Sequence, residues 1–196
     1  FIKKLIKIDK NHYEAQRDLG FIEYTKNNID IAQNILEKIV NNKSNDPFAL
    51  NVLGLVFLKN ELIDKAKKLF DRAITINPKY IDSYNNLGKV FFDLEDLDKA
   101  YVLFKKAYKI NKNFSKTLIN IGNYLSLKDK NLFAIKAYKK ALIYEPKNTE
   151  IFSNISIAYA RTKDFESAKK YYDKAIINKA LNPSLDLSLF YLYIYK

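Results

Sequence analysis

Few residues of this sequence could perform catalytic chemistry, because the types that usually do so are scarce or absent. The chain has 196 residues, with no cysteine and a single histidine, His12. A cysteine nucleophile and a thiolate zinc site are excluded, and a serine–histidine triad would have to use His12. The four glycines stand 34 residues apart, too far from each other for a phosphate-binding loop. The sequence therefore predicts no catalytic residue, no metal site and no cofactor, and we expect that the chain is not an enzyme.

Asparagines at a fixed spacing are the residues best suited to hold a ligand. Asn86, Asn120 and Asn154 follow one another at intervals of 34 residues. A side-chain amide can both donate to and accept from a peptide backbone, so a row of amides can hold a chain without reading its side chains. The expected peptide-binding set is completed by polar side chains close to them in sequence: Asn85, Lys89, Lys116 and Asn123.

The net charge of +12 raises the question of nucleic acid binding. The charge comes from 31 lysines and only 3 arginines, whereas the planar arginine side chain is the one that suits phosphates and base edges. No run of about 18 apolar residues is present, so the sequence predicts no membrane span. Nucleic acid is therefore disfavoured as a partner. The sequence does not specify the compartment, for which a cytoplasmic location is favoured.

The elements that position these residues follow the same interval of 34 residues. The glycines are Gly20, Gly54, Gly88 and Gly122, and alanines recur at Ala32, Ala66, Ala100, Ala134 and Ala168. Leu50, Leu53 and Phe57 have the spacing of one helix face, and Ala66, Leu69 and Phe70 begin a second apolar face after a polar link. Each unit of 34 residues is therefore predicted to form two helices, with small residues where they approach closely.

Two segments carry a family resemblance. NVLGLVFLKNELIDKAKKLFDRAITINP (51–78) and NNLGKVFFDLEDLDKAYVLFKKAYKIN (85–111) resemble tetratricopeptide repeats. The resemblance implies an all-α fold, a right-handed α-solenoid or superhelix of antiparallel helix pairs. It places five repeats at 13–46, 47–80, 81–114, 115–148 and 149–182. Residues 1–12 are then the tail of a preceding second helix, and residues 183–196 are a following first helix or a capping helix.

The resemblance also implies a function. In this family the first helices line a concave groove that binds peptides, so we expect a protein-interaction scaffold whose ligand lies along repeats three to five. The asparagine set would face that groove, although asparagine is also common there in ordinary repeats. The lysine and arginine residues of the second helices would form a solvated outer face: Lys4, Lys38, Arg72, Lys106, Lys140 and Lys174.

Three further expectations concern the wider context. The sequence starts at Phe1 and contains no methionine, so we expect a fragment or a processed product. As a fragment, the chain could be the substrate-recruiting arm of a larger enzyme such as a glycosyltransferase, and a basic RNA-binding helical repeat is the other alternative. The apolar stretch 185–195 predicts either a helix that caps the array in an atypical way or an exposed terminal helix that packs on another molecule, for which a second copy of the chain is one candidate.

Overall fold

The computed structural model describes residues 12–42 and 45–177, which form ten α-helices and no strand. The helices are α1 Tyr13–Thr25, α2 Ile29–Asn42, α3 Pro47–Lys59, α4 Ile63–Ile76, α5 Ile81–Asp93, α6 Leu97–Ile110, α7 Ser115–Leu127, α8 Asn131–Tyr144, α9 Thr149–Arg161 and α10 Phe165–Ile177. The all-α helical-repeat fold predicted from the sequence is confirmed. The terminal segments 1–11 and 183–196, for which helices are expected, lie outside the described residues.

We call the odd-numbered helices first helices and the even-numbered ones second helices. They pack as two compact units, an N-terminal unit that ends at Leu94 and a C-terminal unit that begins at Glu95. In the N-terminal unit each helix from α1 to α5 packs against the next, and the first helices α1, α3 and α5 also contact one another in turn. In the C-terminal unit α6 to α10 pack in the same sequential way, and the first helices α7 and α9 are in contact.

Glycine in the middle of a first helix allows the second helix to approach closely. A Cβ atom built on Gly54 would lie 2.6 Å from the ring of Phe70, and one on Gly122 would lie 2.3 Å from the ring of Tyr138. Both rings are almost fully buried. Glycine at this position lowers the helix propensity of the first helix, but it leaves room for a large buried side chain on the facing helix.

Ser156 occupies the equivalent position in α9 and solves the same packing problem differently. Its side chain is completely buried, and its Oγ donates a hydrogen bond of 2.7 Å to the backbone carbonyl of Ala168 in α10. A buried hydroxyl is tolerated here because it has a partner across the helix pair. Ser156, which stands 34 residues after Gly122, therefore maintains the contact between these two helices.

The turn between a first and a second helix uses a left-handed residue that is never glycine. These residues stand 34 apart and have φ between 55° and 64°: Asn27, Glu61, Glu95, Asp129 and Lys163. At Glu61, the following amide of Leu62 donates to the carbonyl of Phe57 at 2.8 Å, and the amide of Glu61 donates to Leu58 at 3.1 Å. These two bonds form a Schellman motif, which ends the first helix and turns the chain back.

The N-termini of several helices are capped by side chains. Asp46 accepts from the amides of Phe48 and Ala49 at 2.8 and 3.3 Å, ahead of Pro47 at the first position of α3. This cap is the one that the sequence predicts. His12 has the same role for α1, since its Nδ1 accepts from the amide of Ala15 at 3.3 Å. The single histidine is therefore part of a helix cap.

Candidate functional site

The predicted site residues fall on three first helices and are divided between the two units. Asn85, Asn86 and Lys89 lie on α5 in the N-terminal unit. The remaining four lie in the C-terminal unit: Lys116, Asn120 and Asn123 on α7, and Asn154 on α9. We therefore describe the contacts of each group within its own unit.

In the N-terminal unit, Asn86 is part of a buried hydrogen-bond network between two first helices. Its Nδ2 donates to Oδ1 of Asn51 on α3 at 2.8 Å, and Oγ of Ser83 donates to the same oxygen at 3.0 Å. Asn86 is 4% exposed, Asn51 is 5% exposed and Ser83 is fully buried. Buried polar groups are stable only when they are paired, so this network fixes α5 against α3.

The two other predicted residues on α5 have opposite environments. Asn85 is completely buried, and its Nδ2 donates to the carbonyl of Ile81 one turn earlier in the same helix at 3.1 Å. Lys89 is exposed and forms an ion pair with Asp93, with its ammonium 5.8 Å from the centre of the Phe92 ring. Of the residues predicted on α5, Lys89 is the one whose charged group is open to a ligand.

In the C-terminal unit, Asn123 and Asn154 form a pair that is only partly buried. Nδ2 of Asn154 donates to Oδ1 of Asn123 at 3.2 Å, and the hydroxyl of Tyr138 donates to that same oxygen at 2.7 Å. Within the described residues, Nδ2 of Asn123 donates to no acceptor and Oδ1 of Asn154 accepts from no donor. A donor, Nδ2 of Asn123, and an acceptor, Oδ1 of Asn154, are therefore both available at the partly exposed face of α7 and α9.

Tyr138 supports this pair from the second helix α8. Its ring lies against Gly122 and is 2% exposed, while its hydroxyl reaches Asn123. Burial raises the pKa of the Tyr138 phenol well above its ordinary value, so the group is a neutral donor under physiological conditions. The orientation of the Asn123 amide is thus set by the core of its own helix pair.

The other two residues predicted on α7 differ in accessibility. Asn120 is 7% exposed and therefore lies within the packed helices, whereas the side chain of Lys116 is exposed. Sequence reasoning could not separate them, because residues 116 and 120 are four apart and belong to the same general face of a helix. The structure places Lys116, Asn123 and Asn154, but not Asn120, where solvent can reach them.

Arg161 binds the end of a neighbouring first helix. Its Nη1 donates to the backbone carbonyl of Ser126 at 3.1 Å and to the Ser126 hydroxyl at 2.9 Å. A cation at this place donates to a terminal carbonyl that has no partner within the helix, and it interacts favourably with the negative end of the α7 dipole. Arg161 therefore links α9 to the C-terminus of α7, a role that its position in the sequence does not reveal.

A cluster of aromatic and charged side chains on α1 and α3 lies outside the predicted site. The rings of Phe21 and Phe48 meet edge to face with centres 5.4 Å apart, and the Arg17 guanidinium lies 5.2 Å from the centre of the Phe48 ring. Arg17 also contacts Asp18 at 2.8 Å and Asp46 at 3.4 Å. Phe21 remains 39% exposed, so this cluster offers an aromatic surface to an apolar side chain.

The basic residues of the second helices interact with aromatic rings. Lys140 lies 5.4 Å from the centre of the Tyr108 ring, and Lys174 lies 5.2 Å from that of Tyr171. Lys139 donates to the Tyr159 hydroxyl at 2.6 Å, a bond that raises the pKa of its ammonium group. Their hydrocarbon chains thus cover aromatic surface while the charges stay near solvent.

Charge is distributed unequally between the two units. Residues 95–177 hold seventeen lysines and arginines against nine acidic residues, a net charge of +8. Residues 1–94 hold fifteen lysines and arginines against twelve acidic residues, a net charge of +3. Among the residues that the structure describes, no group of three or more histidine, cysteine or acidic side chains could hold a metal ion. No helix in the same part of the chain is long and apolar enough to cross a membrane.

Comparisons with known proteins agree with this architecture. A sequence model described as tetratricopeptide repeat matches residues 49–80, 81–114 and 149–176. No curated protein matches the sequence. A structure reported for PilF of Pseudomonas aeruginosa is 17% identical with a TM-score of 0.82, and the alignment covers 95% of this chain and 85% of that one.

Two further solved structures are similar. A thermophilic TPR protein of Thermus thermophilus is 21% identical with a TM-score of 0.78, over 93% of this chain and 99% of that one. YrrB, described as a TPR protein with an unusual peptide-binding site, is 22% identical with a TM-score of 0.61, over 95% of each chain. At such identities the similarity concerns the fold.

Proposed function

Because the chain belongs to the tetratricopeptide-repeat family, whose repeats serve as scaffolds for protein interactions, we propose that it binds a peptide segment of a partner protein along its first helices and performs no catalysis. The observation that carries the proposal is the pair formed by Asn123 and Asn154. One free donor and one free acceptor at a half-buried position match the carbonyl and amide that every extended peptide presents. The ligand would thus be held by its backbone.

The neighbouring charges suggest which side chains the ligand carries. Lys116 is exposed near the start of α7, on the helix that also bears Asn123. Glu150 occupies the corresponding place on α9 and is exposed as well. A peptide that runs across both helices would therefore meet a cation and an anion in succession, which favours a polar ligand with an acidic side chain towards Lys116.

The buried asparagines have a supporting part in this proposal. Asn85, Asn86 and Asn120 are each less than 10% exposed, and Asn86 already donates to Asn51. The bond from Asn86 keeps α5 in register with α3, which is a structural role within the N-terminal unit. Direct contacts are assigned to Asn123 and Asn154, with Lys116 as a charge at the edge of the same unit.

The test begins with the natural partner, identified by affinity capture and mass spectrometry and reduced to its shortest binding peptide. Titration of that peptide against Asn154→Ala should give affinity about tenfold weaker than wild type, because a hydrogen bond to the ligand backbone is lost. Asn154 is preferred to Asn123 because replacing Asn123 would also deprive Tyr138 of its acceptor.

The matched control replaces exposed cations of the second helices. Lys106→Ala and Lys109→Ala remove charges from the solvent-exposed side of α6, and each should change the affinity less than twofold at physiological salt. If these two lysines prove essential while Asn154→Ala binds normally, recognition uses the second helices and the proposed peptide site is refuted.

A further inference from the structure

The turn between α7 and α8 exposes three large apolar side chains. Leu127 at the end of α7 is 53% exposed, and Leu132 and Phe133 at the start of α8 are 65% and 61% exposed. We call these three residues the α7–α8 apolar patch. Single exposed apolar side chains are ordinary, but three around one turn are characteristic of an interaction surface.

The repeats on either side show that folding does not require apolar residues at these places. The residues 34 positions earlier are Asp93, Asp98 and Lys99, and those 34 positions before them are Lys59, Asp64 and Lys65. The residues 34 positions later are Arg161, Glu166 and Ser167. A carboxylate in the first turn of a second helix is also stabilised by the helix dipole. Leu132, which is uncharged, lacks this stabilisation. Relative to these three repeats the α7–α8 apolar patch is therefore a local departure, and the first repeat shares only one of its apolar places, with Thr25, Asp30 and the exposed Ile31 at the corresponding positions.

Cations surround the α7–α8 apolar patch. Lys128 and Lys130 belong to the turn itself, and Lys136 lies one turn into α8 with its ammonium 5.7 Å from the centre of the Phe133 ring. None of these three lysines forms an ion pair with a described residue. They also belong to the C-terminal unit, in which residues 95–177 carry a net charge of +8. The surface thus combines an apolar centre with a basic rim.

We propose that the α7–α8 apolar patch is a second docking surface, which binds an acidic amphipathic segment of a partner protein. Apolar side chains of that segment would pack on Leu132 and Phe133, and its carboxylates would pair with Lys128, Lys130 and Lys136. Charge complementarity decides the chemistry of the partner, and the apolar centre anchors it. Asp129 lies within the same turn, with φ of 55°, and a flat anionic membrane would have to meet this carboxylate. A peptide can place its own charges around Asp129, so a protein segment fits better than a lipid surface.

The test uses the full chain and a double substitution that copies the neighbouring repeats. Leu132→Asp combined with Phe133→Lys gives the Asp–Lys sequence found at residues 64–65 and 98–99. Thermal unfolding should show a stability equal to or above wild type, because a carboxylate enters the first turn of α8. Leu132→Ser combined with Phe133→Ser removes the same apolar surface without new charge and serves as the second variant.

The probe is a random 16-residue peptide library displayed on phage, selected on the wild-type chain and depleted on the Asp–Lys variant. The surviving peptides should be net negative with leucine or phenylalanine at helical spacing. Synthesised and labelled, they should bind both double variants at least tenfold more weakly in fluorescence anisotropy. Lys128→Gln with Lys130→Gln should also weaken them, whereas Asn154→Ala should leave them unchanged, which separates this surface from the proposed peptide site.

Three results would overturn the proposal. The first is a selection in which no peptide depends on Leu132 and Phe133, or in which the dependent peptides lack negative charge. The second is sedimentation of the wild-type chain, but not of the variants, with vesicles containing phosphatidylserine, which would make the surface a membrane contact. The third is a concentration-dependent dimer in analytical ultracentrifugation that both double variants abolish, since the occupant would then be a second copy of the chain.

Discussion

At the scale of single residues, the same residue type serves two purposes in this chain. Asn86 and Asn154 stand 68 residues apart at corresponding places in the repeat. Asn86 is 4% exposed and bonded to Asn51, whereas Asn154 is half-buried and keeps an oxygen free of described donors. The difference arises because α3 supplies an asparagine partner at residue 51, while α7 carries Ile119 at the corresponding position. Neighbouring side chains thus decide whether an amide is structural or available.

The structural role of Asn86 leads to a prediction about stability. Asn86→Ala should lower the free energy of unfolding by about 1–3 kcal/mol, because Oδ1 of Asn51 loses a donor in a buried setting. Chemical denaturation of the full chain measures this change. The single substitution Asn51→Ala and the double substitution complete a mutant cycle, which should give a coupling of at least about 0.5 kcal/mol. A coupling of zero would mean that the hydrogen bond contributes nothing to stability.

The sequence shows at which helix position asparagines recur, but not which of their atoms are accessible. The spacing of asparagines identified a repeated helix position, but the burial of Asn86 and Asn120 depends on helices that are distant along the chain. The contact from Arg161 to the carbonyl of Ser126 spans 35 residues and has no local signal. A signal for the cluster of Phe21 and Phe48 was present in the sequence, since the residues 34, 68 and 102 positions after Phe48 are charged: Asp82, Lys116 and Glu150.

At the scale of helices and turns, local rules predicted the structure well. Apolar spacing indicated paired helices, and the Asp46–Pro47 cap was evident because both residues have strong positional preferences. The turns were harder to predict from the sequence, since none of the five residues with left-handed backbone is a glycine. Their periodicity of 34 residues was a signal, but the residue types there are Asn, Glu, Asp and Lys, which are ordinary on any surface.

The left-handed turns give a prediction at this scale. Glu61→Gly should raise the free energy of unfolding by roughly 0.5–1 kcal/mol, because it removes strain of about 1–2 kcal/mol at φ 58° and costs about 0.4–1 kcal/mol of unfolded-chain entropy. Asn27→Gly is the matched comparison and should gain less, since asparagine tolerates this conformation. Thermal unfolding monitored by circular dichroism tests the order. Equal gains at both positions would show that side-chain strain is not the cause.

At the scale of the whole molecule, the unequal charge of the two units is the feature that no single repeat reveals. The second helices α6, α8 and α10 together carry most of the net charge of +8 in residues 95–177. Like charges on one compact unit repel each other, and the aromatic contacts of Lys139, Lys140 and Lys174 offset only part of that repulsion. Repeat proteins can open one part at a time, so this repulsion should affect one unit more than the other.

Hydrogen exchange measured by mass spectrometry at two salt concentrations tests this consequence. Raising sodium chloride from about 20 to about 300 mM shortens the distance over which charges interact from roughly 20 Å to below 8 Å. Amide exchange in α6, α8 and α10 should then slow several-fold, because screening relieves repulsion that favours opening. Exchange in α2 and α4 should change less, since residues 1–94 carry a net charge of only +3. Sucrose at equal osmolality controls for solvent effects, and an equal response of both units to salt would show that their difference in charge does not govern local stability.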